Sequence, residues 1–399
     1  MYLIALIFTF YNYTSYYHFL NKISKQSVLV IPLCIGVVLF FRLLFKNIKI
    51  DYKSLVIFLI LFVNILLSSL LSNGFHLEIY MLMGALFVAL VVANTVTRQQ
   101  FINCYVNLIL VLAIYSLVAT YIFMPMHIEG AEVFPVLDNN NRDYLDMYFS
   151  MALITSGVPR NCSFCREPGV YQVFLLIGLF FAIEHQPKNR RNILTVIVLL
   201  VTMLTTFSAI SYITMIICII MFFKKYSSDS STFLKMIIIF FVAVLLLAVV
   251  IESNEKLGDE IIRTMSKWDS ESEGESLAVR LNGITANLIL FFEKPLFGNG
   301  LVTSWLDIIE RYGYQNVTGT TFIGFAAFGV VFGAIMHYLL LQMCRTKSGF
   351  TTFIWFSAIL LATLSQNLMI ANLLWILLFY PFMRSEEQEQ DIRNLYQRV

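Results

Sequence analysis

Three arginines and a glutamate are the residues of this chain best suited to chemistry. Arg160, Arg166 and Glu167 lie close together, and Arg280 stands in a later polar stretch. A guanidinium stays charged at any accessible pH and offers its donors in a planar fork that matches phosphate oxygens. Arginines converging at the water boundary of a membrane would suit a lipid-linked pyrophosphate, whose headgroup sits at the interface while its tail stays in the bilayer. The same three residues also fit as interfacial anchors, or as partners of Glu167 and nearby carboxylates. Arg166-Glu-Pro-Gly169 carries a helix-start signal: Pro168 suits a first turn, and Glu167 just ahead suits the positive end of the helix dipole. A span opening near Gly169 is therefore expected, with Glu167 fitting either a general base or a cap.

Other polar residues carry weaker signals. Pro295-Leu-Phe-Gly-Asn-Gly300 is a glycine-rich turn whose glycines permit positive φ and close backbone approach. It lacks the spacing of a nucleotide P-loop. The five histidines have no ligand spacing, and Asp138–Asp146 is rich in ordinary loop-formers, so no metal is expected. Cys34, Cys104 and Cys218 sit in apolar runs, where a thiol behaves as a small hydrophobe. Cys162 and Cys165 are expected to be exposed, without the second pair or histidines of a metal or redox site. Asn64 and Glu184 do not form the series of buried carboxylates used by proton-coupled transport.

These residues must be positioned by membrane helices. Of 399 residues, 59% are hydrophobic and 13% charged, against about 45–50% and about 25% in soluble domains. That leaves too little polar surface to wrap a globule. The net charge of +2 implies no nucleic-acid partner. Apolar runs recur at 2–20, 27–45, 54–72, 79–97, 101–124, 170–186, 192–207, 209–223, 233–252, 318–343, 350–366 and 371–383. The first lacks a basic n-region and a cleavage site and is expected as a retained span. The stretch 192–223 exceeds one crossing, and Ser208-Ala-Ile-Ser211 offers a break. The expected fold is all-α: a polytopic integral membrane protein, one membrane domain over 1–399, with about twelve spans.

Lys46, Lys49, Lys53, Arg98, Arg190, Arg191, Lys224, Lys225, Arg345 and Lys347 fall on one side, which the positive-inside rule makes cytoplasmic. Both termini, including the polar tail 384–399, then lie inside. Two long connections, 125–169 and 253–317, face outward together, and such loops are usually functional. The second holds an acidic stretch, an amphipathic run over 276–292 and the glycine-rich turn.

Taken together, the Arg-x(5)-Arg-Glu-Pro-Gly segment, the pair Ala278-Val-Arg280-Leu-Asn-Gly283 and Phe292-Glu-Lys-Pro295-Leu-Phe-Gly-Asn-Gly300, and the dominant later external loop resemble the Wzy-type O-antigen or capsular polysaccharide polymerases. These belong to the wider O-antigen ligase and polymerase superfamily. The resemblance implies an enzyme of the bacterial inner membrane, working on its extracytoplasmic face. It would transfer a growing glycan from undecaprenyl pyrophosphate to an incoming lipid-linked repeat unit. Donor and acceptor lipids are the implied partners, with a chain-length regulator and a flippase alongside, and no cofactor. The implied catalytic set is Arg160, Arg166, Glu167 and Arg280. Implied substrate contacts are Arg142, Gly169, Asn282, Gly298, Asn299, Gly300, Thr320 and Thr321. The chain departs from the superfamily at Thr318-Gly-Thr-Thr321, where His or Asn is common. Residues 253–317 also lack the histidine on which lipid A–core ligases rely. An O-antigen ligase-type transferase and a flippase of lipid-linked oligosaccharide are the alternatives. A flippase would show pseudo-symmetric halves, and no internal repeat is apparent.

Overall fold

The computed structural model describes residues 2–46, 48–72, 74–123, 135–138, 143–155, 158–227, 276–312 and 319–385. Arg142, the apolar run 233–252, the acidic stretch 269–275 and the tail beyond Ser385 lie outside the described residues. The chain is mostly helical. Its helices are α1 (Tyr2–Phe10), α2 (Tyr16–Phe19), α3 (Lys25–Phe45), α4 (Tyr52–Leu71), α5 (Leu77–Thr95), α6 (Arg98–Val118), α7 (Pro168–His185), α8 (Arg190–Leu204) and α9 (Ala209–Tyr226). They continue as α10 (Ser276–Glu293), α11 (Leu301–Tyr312), α12 (Thr320–Met343), α13 (Gly349–Leu364) and α14 (Asn372–Leu378).

Seven described helices are long and apolar enough to cross a membrane: α3, α4, α5, α6 with its continuation to Ile122, α7, α9 and α12. Four of the other expected spans differ. The run 2–20 breaks between α1 and α2, where Ser15 caps α2 by accepting from the His18 N–H. The run 371–383 is α14 followed by a short 3-10 turn, Tyr380–Phe382, which contains Pro381. α8 has 15 residues and α13 has 16. At 1.5 Å per residue each falls short of the roughly 30 Å of hydrocarbon. The stretch 192–223 is two helices, broken at Thr205–Ser208.

Local chemistry starts many of these helices. Ser24, Asp51, Asn189 and Ser348 each accept a first-turn N–H from Ser27, Ser54, Asn192 and Thr351. Such caps satisfy donors that the helix itself leaves open.

The contacts divide the chain into two compact units, Met1–Tyr105 with Val279–Val399, and Val106–Ala278. In the first, α5 packs against α3, α4 and α14, and α12 packs against α4, α11, α13 and α14. α14 is buried along its whole length. Its two polar groups find partners: Asn372 donates to the Tyr11 carbonyl at 3.3 Å and the Trp375 indole to the Met369 carbonyl at 2.7 Å.

In the second unit, α7 packs against α8 and α9 and is buried from Pro168 to Ile183. Ahead of it, where only a loop is expected, stands an antiparallel sheet in the order β1 (Val136–Asp138), β2 (Asp143–Asp146), β3 (Met151–Thr155) and β4 (Val158–Ser163). Leu145, Met147 and Ala152 pack with Ala119 on one face. β4 is an edge strand, and unpaired edges need cover. The α8–α9 turn supplies it: Asn161 N–H donates to the Thr205 carbonyl at 3.0 Å. The Asn161 amide is buried and donates to Ser116 at 2.9 Å and Thr205 at 3.3 Å, while its oxygen accepts from the Ser163 N–H at 3.0 Å.

Three bonds of about 0.5–1.5 kcal/mol each are thus at stake in one side chain. Asn161→Ala should lower the apparent melting temperature of the detergent-purified protein by several degrees, on the order of 2–4 kcal/mol of destabilisation. Unchanged melting would show that this amide does not tie the sheet to the helical turn.

Candidate functional site

In the second unit, Arg160, Arg166 and Glu167 flank one short turn along the chain. Arg160 sits on β4 opposite Leu153. Its Nη2 donates to the Phe207 carbonyl at 2.7 Å and its Nε to the Thr206 carbonyl at 3.4 Å. Phe207 lies in the left-handed region with φ 45°, uncommon for a bulky residue, and the guanidinium holds its carbonyl there. Two of the arginine's donors therefore serve the α8–α9 turn.

The strand then closes on itself, with Cys165 N–H donating to the Cys162 carbonyl at 3.0 Å and Ser163 at φ 48°. Cys162 and Cys165, expected to be exposed, are buried free thiols. The expectation failed because neighbouring charged residues suggest a wet loop, whereas the sheet and α7 enclose the turn. Burial pushes the Cys162 thiol up to about 12, against the opposing pull of the Arg160 charge; Glu167 pushes it the same way as burial. Cys165 is raised well above the ordinary thiol value, first by burial, while Arg166 acts to lower it.

Pro168 takes the first turn of α7 with Gly169 buried behind it, and Glu167 is the residue that flanks the helix start. The Glu167 carboxylate accepts no bond from the first-turn N–H groups. Of the two roles open to it, side-chain capping is not the one adopted. Both Arg166 and Glu167 are half-buried at the opening of an apolar helix.

In the first unit, the glycine-rich turn binds its own chain. α12 is interrupted at Gly329 (φ 82°, ψ −172°), which frees backbone groups in the middle of an apolar helix. The turn fills the gap: Asn299 and Gly300 donate their N–H groups to the Ala326 and Ala327 carbonyls at 2.9 Å each, and Val330 N–H donates to the Pro295 carbonyl at 2.8 Å. Ser68 of α4 adds its hydroxyl to the Ala327 carbonyl at 2.7 Å. The Asn299 side chain donates to the Leu290 carbonyl at 2.7 Å. Gly298 and Gly300 have φ of 68° and 84°. A Cβ on Gly298 would stand 2.3 Å from the backbone of Ala327 and one on Gly329 2.2 Å from the Leu296 oxygen. The close approach expected of these glycines is therefore made to α12.

Thr320 is also engaged by the chain. Its hydroxyl donates to the Gln366 carbonyl at 2.5 Å and accepts from Leu368 N–H at 2.9 Å. Thr321 differs: its buried hydroxyl has no partner among the described residues, a cost of about 1–3 kcal/mol unless a bound molecule meets it. Asn282 is exposed on α10. Arg280 belongs to the opening turns of the same helix.

The candidate residues thus fall in two groups, Arg160, Arg166, Glu167 and Gly169 in one unit, and Arg280, Asn282, Gly298–Gly300, Thr320 and Thr321 in the other. Asn161, Gly329 and Ser68 organise the surroundings and carry no sequence signal of their own. Compared with models of known protein families and with curated proteins, the sequence matches none. Chemically, the second unit offers a guanidinium and a carboxylate at consecutive positions of a helix start. That pair can bind an anion and take up a proton.

Gly329→Ala should lower the apparent melting temperature by several degrees, since it adds a clash with the Leu296 carbonyl and a strained φ. Ser68→Ala, which removes one of the bonds to the Ala327 carbonyl, should cost about 0.5–1.5 kcal/mol. Equal and negligible effects in a thermal melt of both variants would show that the helix break is not held by this turn.

Proposed function

We propose that this chain is a glycosyltransferase of the bacterial inner membrane that polymerises oligosaccharide repeat units carried on undecaprenyl pyrophosphate. The observation that carries the reading is the half-buried Arg166–Glu167 pair at the start of α7, an apolar helix of spanning length. A guanidinium in that position suits a diphosphate whose lipid tail occupies the adjoining bilayer. The resemblance of the two arginine-bearing segments to the Wzy-type polymerases supports the same reading. About twelve spans, inward termini and an outward active face complete it.

In the reaction, a hydroxyl at the non-reducing end of the incoming unit attacks the anomeric carbon of the growing chain. The bond from that carbon to the pyrophosphate oxygen breaks, and the electron pair leaves with undecaprenyl pyrophosphate. Negative charge grows on the departing oxygen, where fixed cationic donors lower the barrier most. Arg166 is assigned to that charge, and Arg280 to substrate binding on the strength of the resemblance. Glu167, free of a capping bond, takes the acceptor proton. Arg160 has a split duty, because it also holds the Thr206 and Phe207 carbonyls.

Deleting the gene should leave single repeat units on the glycan acceptor, seen as loss of the ladder on a gel. Unattached long chains would indicate a ligase, and inward-facing lipid-linked units a flippase. Arg166→Lys and Arg280→Lys keep the charge but lose the fork, and each should shorten the chains. The expected loss is about tenfold or more in polymerised product at equal protein level. Normal ladders in both variants would rule out the diphosphate assignment.

A further inference from the structure

We propose that the hairpin formed by α10, the Pro295–Gly300 turn and α11 is seated in the bilayer, with the exposed residues Leu281, Ile289, Phe292 and Leu296 lying against acyl chains instead of standing in water. The inference rests on the reading of α12 as a membrane span, and it deepens the proposed function by giving the segment that carries Arg280 a place.

The outward face of α10 is the first observation. Leu281, Thr285, Ile289 and Phe292 follow one another at three- and four-residue spacing on α10 and form one stripe, and Leu296 extends the exposed apolar surface into the turn. Its apolar members are strongly exposed, Phe292 at 73% and Leu296 at 66%. A helix in a water-facing loop turns polar residues outward. Here Ala286 and Leu290 face inward, packed with Ile308 and Ala326, and the outward stripe is apolar as well. An outward stripe dominated by large, exposed apolar side chains needs an apolar surrounding.

The backbone is the second. Irregular chain at membrane depth is tolerated only where the protein itself pairs its polar groups. The turn meets that demand: Gly298 N–H donates to the Lys294 carbonyl, Asn299 and Gly300 donate into the α12 break, and the Pro295 carbonyl accepts from Val330. Ser304 Oγ donates to the Gly300 carbonyl. The same bonds fix the hairpin to the flank of α12.

The charges are the third. Arg311 pairs with Glu293 at 2.5 Å and with Asp307 at 3.8 Å, so these groups neutralise one another, and Lys294 is exposed at the end of α10, where a long side chain can reach the interface. α11 is strongly amphipathic, with Leu306 and Ile309 exposed beside Glu310 and Arg311. Apolar side chains beside a charged edge are the pattern of a helix lying in the membrane interface. Ile284 of α10 comes close to Gly319, at the opening of α12. Arg280, one helical turn earlier, then enters the hairpin near that end of the span.

The test uses the full chain in lipid nanodiscs. Single nitroxide labels are placed by Phe292→Cys, Leu296→Cys and Glu310→Cys in a Cys34→Ser background, with the unsubstituted background as the labelling blank. Collisions with molecular oxygen, which concentrates in lipid, are compared with those of a water-soluble nickel chelate. Labels at 292 and 296 should favour oxygen over nickel several-fold, and the label at 310 should show the reverse. Nickel access at 292 and 296 equal to that at 310 would overturn the inference by placing the stripe in water. Shielding from both reagents would overturn it too, by showing a second copy or another protein on the stripe. The readout needs no activity, so normal glycan ladders in the arginine variants would remove the enzymatic reading and leave this result standing.

Discussion

Apolar surroundings cannot satisfy a backbone N–H or carbonyl, so every break in a membrane helix has to be paired from within the chain. That constraint organises the residues most likely to be mistaken for ligand contacts here. α12 breaks at Gly329, and the groups released are met by the Asn299 and Gly300 N–H groups, the Pro295 carbonyl and the Ser68 hydroxyl. The α8–α9 break exposes the Thr206 and Phe207 carbonyls, and Arg160 meets them. In both places a motif with the look of a binding site first completes a helix.

This double use explains how much could be read from the sequence. Long apolar runs are legible because crossing hydrocarbon demands length, and α3, α4, α5, α7, α9 and α12 lie within a few residues of where the runs place them. Pro168 announces the start of α7 because its ring and missing N–H fit only a first turn. The breaks are harder to see. Asn12-Tyr-Thr-Ser15 interrupts an apolar run without a glycine or proline, and the interruption depends on Ser15 turning its oxygen to the His18 N–H. The sheet over residues 136–163 is hidden for another reason. Its strands are short, and strand pairing is a long-range property that no local period reveals.

At the candidate site, residue type was legible and commitment was not. The sequence shows that Arg160, Arg166 and Glu167 can serve a diphosphate. It does not show that Arg160 is tied to a neighbouring turn or that the carboxylate of Glu167 leaves the helix cap unfilled. The Cys162–Cys165 turn is buried, so its thiols act as packing. Gly298, Asn299 and Gly300 were legible as a close-approach turn, and the partner approached is α12. Arg166 and Glu167 emerge as the pair with the clearest chemical opportunity.

We propose that Arg166 recognises a diphosphate carried on lipid. Equilibrium binding of undecaprenyl pyrophosphate and undecaprenyl phosphate to the purified protein in nanodiscs, wild type beside Arg166→Lys, tests it most directly. The wild type should prefer the diphosphate by about tenfold, equivalent to about 1.4 kcal/mol, and the lysine variant should lose most of that preference. Equal affinity of the wild type for the two lipids, or a preference untouched by the substitution, would contradict the claim.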